Sequence, residues 1–334
     1  MFLKNLTKKK QHHNKVLINK NTMVNEDKNF SSNEGIEKFE TNILDEVKQY
    51  LEKGEMQESE KYFLNGIIRK YKPKKLLEVG VSAGGSSIIM LNAIKEYDAR
   101  LYSVDYSKKY YRDNTKETGY LVQENVPHLA NKYKLYTGNI AANFMEEIGG
   151  DIDLCLLDTV HSIPGELLDI LMILPFMKKD GIIVLHDTSY HCFKNTAYSN
   201  GILFSVIKAN KLQPLMNEDS IPLPNIGAFQ LMNDTMQYAS DIFLSLNLPW
   251  QYLPSDACIQ EAIKLYLKYY KEKDIKILEK IFLYNKKICE NKIKYKGINV
   301  ACKKYKKYPK WLIYFLCWFV VKKINRNKMR KKYI

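Results

Sequence analysis

A chain of 334 residues with 46% hydrophobic and 27% charged residues has room for one large globular domain with appendages or for two modest ones. Its formal net charge of +15 sits in one place: residues 260–334 carry 23 Lys+Arg against 5 Asp+Glu, while the rest carry 29 against 32. The basicity therefore belongs to the tail and calls for an anionic partner there, not at the main domain. None of the six cysteines forms a Cys-x-x-Cys pair, and the start lacks an apolar stretch after its charges, so no zinc ribbon, disulfide framework or secretory signal is expected. Both features fit a cytoplasmic protein.

Residues 1–34 are polar and rich in Lys and Asn, the composition of a disordered arm. Helical spacing follows over about 35–70, with Ile43, Val47, Tyr50 and Leu51 on one face. After Pro73 short apolar runs at 75–80, 101–105, 133–137, 153–158 and 181–187 alternate with helical patterns near 84–96, 121–131, 141–148 and 164–177. Strands separated by helices of this length predict βαβ crossovers and a doubly wound, Rossmann-like α/β fold. Two more runs, near 212–216 and 226–232, complete a mostly parallel seven-stranded sheet within a domain spanning 35–235. Residues 236–308 read as a helical extension, with one or two long helices over 256–290. The segment 309–334 is an apolar and basic tail whose run 311–321 is too short to span a bilayer: eleven residues make a helix of about 16 Å, against a hydrocarbon core of about 30 Å. Two readings of it stay open, an interfacial anchor at the inner face of the membrane or a core-packed helix.

Chemistry is concentrated at the strand ends. LLEVGVSAGGSS (76–87) carries Glu78, Gly80, Ser82, Gly84 and Gly85, a strand that runs through a glycine turn into a helix. A dinucleotide fingerprint would need glycine at the position held by Ser82. Asp105 ends the next strand, where a carboxylate can accept ribose hydroxyls, and Asn139 follows the third. DIDLCLLDTVHS puts Asp158 at a strand end with His161 three residues on, and GIIVLHDTSYH ends the following strand in His186 and Asp187. On a parallel sheet all of these share the carboxyl edge, where open α/β sheets bind ligands.

The glycine turn with its preceding acid resembles the first motif of class I methyltransferases. The later strand ends resemble a metal-assisted O-methyltransferase branch that includes catechol and macrolide-sugar O-methyltransferases and the cephalosporin-hydroxylase-like proteins. The resemblance covers roughly residues 60–235. It implies S-adenosyl-L-methionine as cofactor, held by Glu78, Gly80, Ser82, Gly84, Gly85, Asp105 and Asn139. It also implies a small hydroxylated substrate (a sugar or glycan precursor), His161 as general base beside Asp158, and a divalent metal on Asp158, Asp187 and His186. The chain departs from that branch at His186, where an acidic ligand is expected; Mg²⁺ prefers oxygen, so the metal's presence and identity stay open.

Three other functions compete. An NAD(P)-dependent sugar-modifying enzyme is disfavoured by Ser82 and by the lack of a Tyr-x-x-x-Lys pair. A nucleic-acid methyltransferase would need an Asn/Asp-Pro-Pro-aromatic loop where Asp158-Thr159-Val160-His161 stands. A non-catalytic membrane-associated protein of the same fold has no need of Glu78, Asp105, Asp158 and His161 together.

Overall fold

The structure is a computed structural model and describes residues 47–192, 199–214, 224–232 and 238–294. The arm 1–34 and the tail 309–334 lie outside those residues.

The described chain starts with a short helical turn at Lys48–Tyr50 and then α1 (Glu58–Tyr71). Over the predicted helical stretch 35–70, a turn at Gly54 (φ 78°) separates the two helical segments. The buried Lys61 ammonium then ties that turn down, donating to the carbonyls of Leu51 and Lys53. Helix α1 begins in a reciprocal cap between Gln57 and Glu60 and stops at Lys72, left-handed just before Pro73.

The strands β1 (Lys75–Val79), β2 (Arg100–Asp105), β5 (Tyr133–Thr137), β6 (Ile152–Leu157), β7 (Met177–His186), β8 (Asn210–Leu212) and β9 (Ile226–Gln230) form one seven-stranded sheet. Their order is β5-β2-β1-β6-β7-β9-β8. All neighbours are parallel except β9, which runs antiparallel to both β7 and β8. The chain builds outward from β1 through β2 to β5, then returns to build β6 and β7 on the other side. The crossovers therefore diverge between β1 and β6, the switch point at which such sheets open a crevice.

Alternating side chains feed two cores. Leu77, Val79, Cys155, Leu157, Ile183 and Leu185 face α4 (Met145–Ile148), α5 (Gly165–Ile173), α6 (Ser199–Val206), α7 (Ala239–Ser245), α8 (Asp256–Tyr269) and α9 (Glu272–Lys294). Leu76, Leu101, Leu154, Leu156, Ile182 and Val184 face α1, α2 (Gly85–Ala93) and α3 (Tyr120–Asn125). The C-terminal helices belong to the first core: Tyr266 and Tyr270 donate to the carbonyls of Leu168 and Leu171 at 2.8 and 2.7 Å.

The doubly wound sheet and five of its strands stand where the apolar runs predict them. Three details differ. Strand β7 starts four residues earlier than its apolar run, across a register shift opposite Ile152–Leu154. The penultimate strand forms at 210–212, slightly ahead of the predicted run, whose later residues lie outside the described ones. A hairpin, β3 (Lys109–Tyr110) with β4 (Asp113–Glu117), is present where nothing predicts a strand. Its residues are polar on both faces, so no alternation marks it. Among the described residues no helix is long and apolar enough to cross a membrane.

Candidate active site

The crevice is a single cavity of about 1590 Å³ at the carboxyl edge of the sheet. One end is walled by Gly80, Val81, Ser82, Asp105 and Asn139, the other by Asp158, His161, His186 and Asp187.

At the first end, Gly80 has no substitute. Its φ is 93°, and a Cβ would lie 1.7 Å from the Asp158 carbonyl oxygen, so β1 and β6 approach this closely only through a glycine. The Asp105 carboxylate braces the turn, accepting the backbone N–H groups of Val81 and Ser82 at 2.9 and 3.0 Å and of Ser107 at 2.7 Å. Carboxylate oxygens have lone pairs beyond these three, so Asp105, which lines the cavity, can still accept ribose hydroxyls. Ser82 stands left-handed at φ 53°, and its hydroxyl is buried without a hydrogen-bond partner. An orphaned hydroxyl on a glycine turn, at the N-terminus of α2, suits a polar or anionic ligand group. Asn139 is exposed at the rim and folds its side-chain oxygen onto the next backbone N–H.

Two of the expected cofactor residues do not line the cavity. Glu78 is fully buried and does not reach the cavity wall: Ser86, Ser87 and Ser103 all donate to its carboxylate at 2.5–2.6 Å. Desolvation pushes its pKa up to about 7, against those hydrogen bonds. Any contact of Glu78 with a ligand must run through Ser86, which does line the cavity. Gly84 also lies behind the wall, its Cα side closed by Gly119 at 3.0 Å from a notional Cβ. Gly85 lines the cavity, yet what requires glycine there is the N-terminal turn, since a Cβ would meet the Lys53 oxygen at 2.6 Å.

The other end gathers charge. The side chain of His161 (φ 58°) places Nδ1 3.1 Å from Asp187 Oδ2, 3.3 Å from Glu166 Oε1 and 3.8 Å from Asp158 Oδ1. Burial works against its charged form, but Glu166, Asp158 and Asp187 outweigh burial and raise its pKa to about 9. His186 is buried, with Nε2 2.9 Å from Glu60 Oε2 and Nδ1 3.3 and 3.5 Å from Asp158 and Asp187. Burial opposes charge there too, and the Asp158 carboxylate leads the groups that lift its pKa well above the ordinary imidazole range. Asp187 goes the other way: burial alone would raise its carboxyl, but the two imidazoles hold it below the usual range.

Several residues here carry no sequence signal. Glu60 arrives from α1, 126 positions from its partner His186. Asn225 donates to Asp187 at 2.7 Å and to Glu60 at 3.2 Å. Asn200 bridges the carbonyls of Leu157 and His186, locking together the two strand ends that bear the cluster. Glu166 stands in the first turn of α5. Its carboxylate is sealed, takes the Thr159 N–H at 3.3 Å and is pushed up by desolvation. Each is an isolated polar residue whose partner lies far away along the chain.

Residues 77–188, about a third of the chain, match the family model of a methyltransferase domain. The matched segment spans both ends of the cavity, from β1 to just past Asp187. None of the curated proteins searched matches the chain. Among solved structures, an O-methyltransferase of Streptomyces achromogenes involved in tomaymycin synthesis is similar at 13% identity and TM-score 0.41, covering 61% of this chain and 92% of that one. A Bacillus cereus O-methyltransferase is similar at 14% identity and TM-score 0.40, covering 61% and 94%. A Podospora anserina methyltransferase is similar at 17% identity and TM-score 0.40, covering 60% and 87%. At that distance the likeness says nothing of chemistry.

Proposed function

We propose that the chain is an S-adenosylmethionine-dependent O-methyltransferase acting on a hydroxyl of a small molecule, with a sugar or glycan precursor as the substrate class. One observation carries the reading: the glycine turn with Asp105 and the cluster around His161 are two ends of one continuous cavity. Pockets for a single ligand run to roughly 300–1,000 Å³, so a space of about 1590 Å³ leaves room for a methyl donor and an acceptor side by side.

The turn supports an adenosine-methionine ligand. Asp105 offers ribose acceptors, Ser82 and the α2 N-terminus offer donors to the methionine end, and Asn139 stands at the adenine side. Ser82 in place of the middle glycine counts against a dinucleotide. The acceptor then lies against the His161 end. Methyl transfer from a sulfonium needs an aligned oxygen and a route for its proton. Nδ1 of His161 is held among three carboxylates, which leaves Nε2 to take the hydroxyl proton once the ring is neutral.

The residues also suit a divalent cation: Asp158, His186 and Asp187 offer three ligand atoms mutually within 4.8 Å, one of them Nδ1 of buried His186, which makes no hydrogen bond. Bound there, a cation would lower the pKa of an acceptor hydroxyl and offset the carboxylates that keep His161 protonated. The basic tail adds a peripheral partner, an anionic membrane surface against 309–334.

Turnover tests the reading. His161→Ala should lower methyl transfer by about 10²–10⁴ while leaving S-adenosylhomocysteine affinity nearly unchanged. Undiminished turnover in that variant would remove His161 from the reaction.

A further inference from the structure

The residues that hold His186 lie outside the matched segment, and they specify the ring more tightly than a charge pair requires. Glu60 sits third in α1, and its own position is fixed from both sides. Oε2 accepts the Gln57 backbone N–H at 2.6 Å and stands 2.9 Å from His186 Nε2, while Oε1 accepts Asn225 Nδ2 at 3.2 Å. Glu60 is 3% exposed and His186 7% exposed, so neither exchanges these partners for water. A carboxylate accepts only, so Nε2 carries a proton and is not free to bind a cation. The opposite nitrogen, Nδ1, is buried and makes no hydrogen bond, although Asp158 and Asp187 oxygens stand 3.3 and 3.5 Å from it. A buried polar atom that makes no hydrogen bond, aimed into a group of carboxylates, marks a place where something else binds.

We propose that Glu60 is a positioning residue that fixes His186 with Nδ1 toward Asp158 and Asp187, and so makes this site select a first-row transition-metal dication over Mg²⁺. The proposal rests on the cation reading given above. A carboxylate hydrogen-bonded to the far nitrogen of a ligating imidazole sets the tautomer and raises ligand basicity. The resulting donor set of one imidazole nitrogen and two carboxylates suits Mn²⁺, Co²⁺ or Zn²⁺, whereas Mg²⁺ gains nothing from the nitrogen. Glu60 itself is committed to His186, Asn225 and the helix cap, so its part is orientation. The methyltransferase segment alone therefore lacks a piece of its own site, and α1 supplies it.

The test uses full-length protein stripped with chelator and titrated calorimetrically with Co²⁺ and with Mg²⁺. Co²⁺ should bind at least tenfold tighter than Mg²⁺, with a visible absorption band for nitrogen ligation. Glu60→Gln should weaken Co²⁺ by about 10–100-fold and Mg²⁺ much less, so that selectivity collapses; a merely structural role would lower both together or neither. A second arm needs no variant at Glu60. Spin-echo spectroscopy of Mn²⁺ bound to protein carrying ¹⁵N-histidine should show a coordinated nitrogen that disappears in His186→Gln. If Co²⁺ binds and Glu60→Gln keeps its selectivity, or no coordinated nitrogen is seen, the proposal is overturned while the cation reading stands. If no divalent ion binds at all, both are overturned, and S-adenosylhomocysteine binding still decides the methyltransferase reading separately.

Discussion

Single residues carry most of the electrostatic tension. Glu78 is the clearest case, a carboxylate sealed under the glycine turn with only serine hydroxyls for company. Its folded pKa of about 7 lies above the ordinary value of 4.5, so the native state binds this proton more tightly than the unfolded chain does. Stability from this group is therefore full below about pH 4.5 and is lost as pH rises toward 7. A shift of that size is worth about 3 kcal/mol. Glu78→Gln removes the slope. Urea unfolding at pH 5 and pH 8 should show the variant gaining about 2.5 kcal/mol on the wild type between the two; identical pH dependence would show that the carboxyl is not so perturbed.

At the scale of elements, the apolar runs and the acids that end them were legible, because a buried parallel strand is apolar over most of its length and stops where the crevice begins. Asp105, Asp158 and Asp187 stand at those stops. What was hidden depended on long-range contact. The hairpin 109–117 is held by pairing between polar residues, and nothing in Glu60 or Asn225 announces a partner on another element. Gly85 was legible as a required glycine but for another reason, since the turn at Lys53–Gly54 packs on it. Gly85→Ala should therefore destabilise the domain by about 1–3 kcal/mol, the usual cost of overpacking against backbone. Denaturant unfolding checks it; an unchanged midpoint would mean the N-terminal turn yields freely.

Across the whole molecule, the sheet and the C-terminal helices share one core. Ile259, Tyr266, Leu278 and Phe282 are buried with Leu77, Cys155 and Ile183 in a single cluster. Truncation after residue 238 should thus leave no cooperatively folding domain, because it strips one face of the sheet. Removing 309–334 should leave a folded enzyme. It should also abolish flotation with anionic vesicles, an interaction expected to weaken steeply from low to physiological salt. Vesicle binding that survives truncation would place the basic contact elsewhere.

The central claim is that the glycine turn and Asp105 hold S-adenosylmethionine. Calorimetry of the full-length protein with S-adenosylhomocysteine and, separately, NAD⁺ tests it most directly. The expected result is micromolar affinity for S-adenosylhomocysteine, roughly −8 kcal/mol, weakened by about 1.5–3 kcal/mol in Asp105→Ala, with no heat from NAD⁺. Tight binding of NAD⁺ and no response to S-adenosylhomocysteine would contradict it.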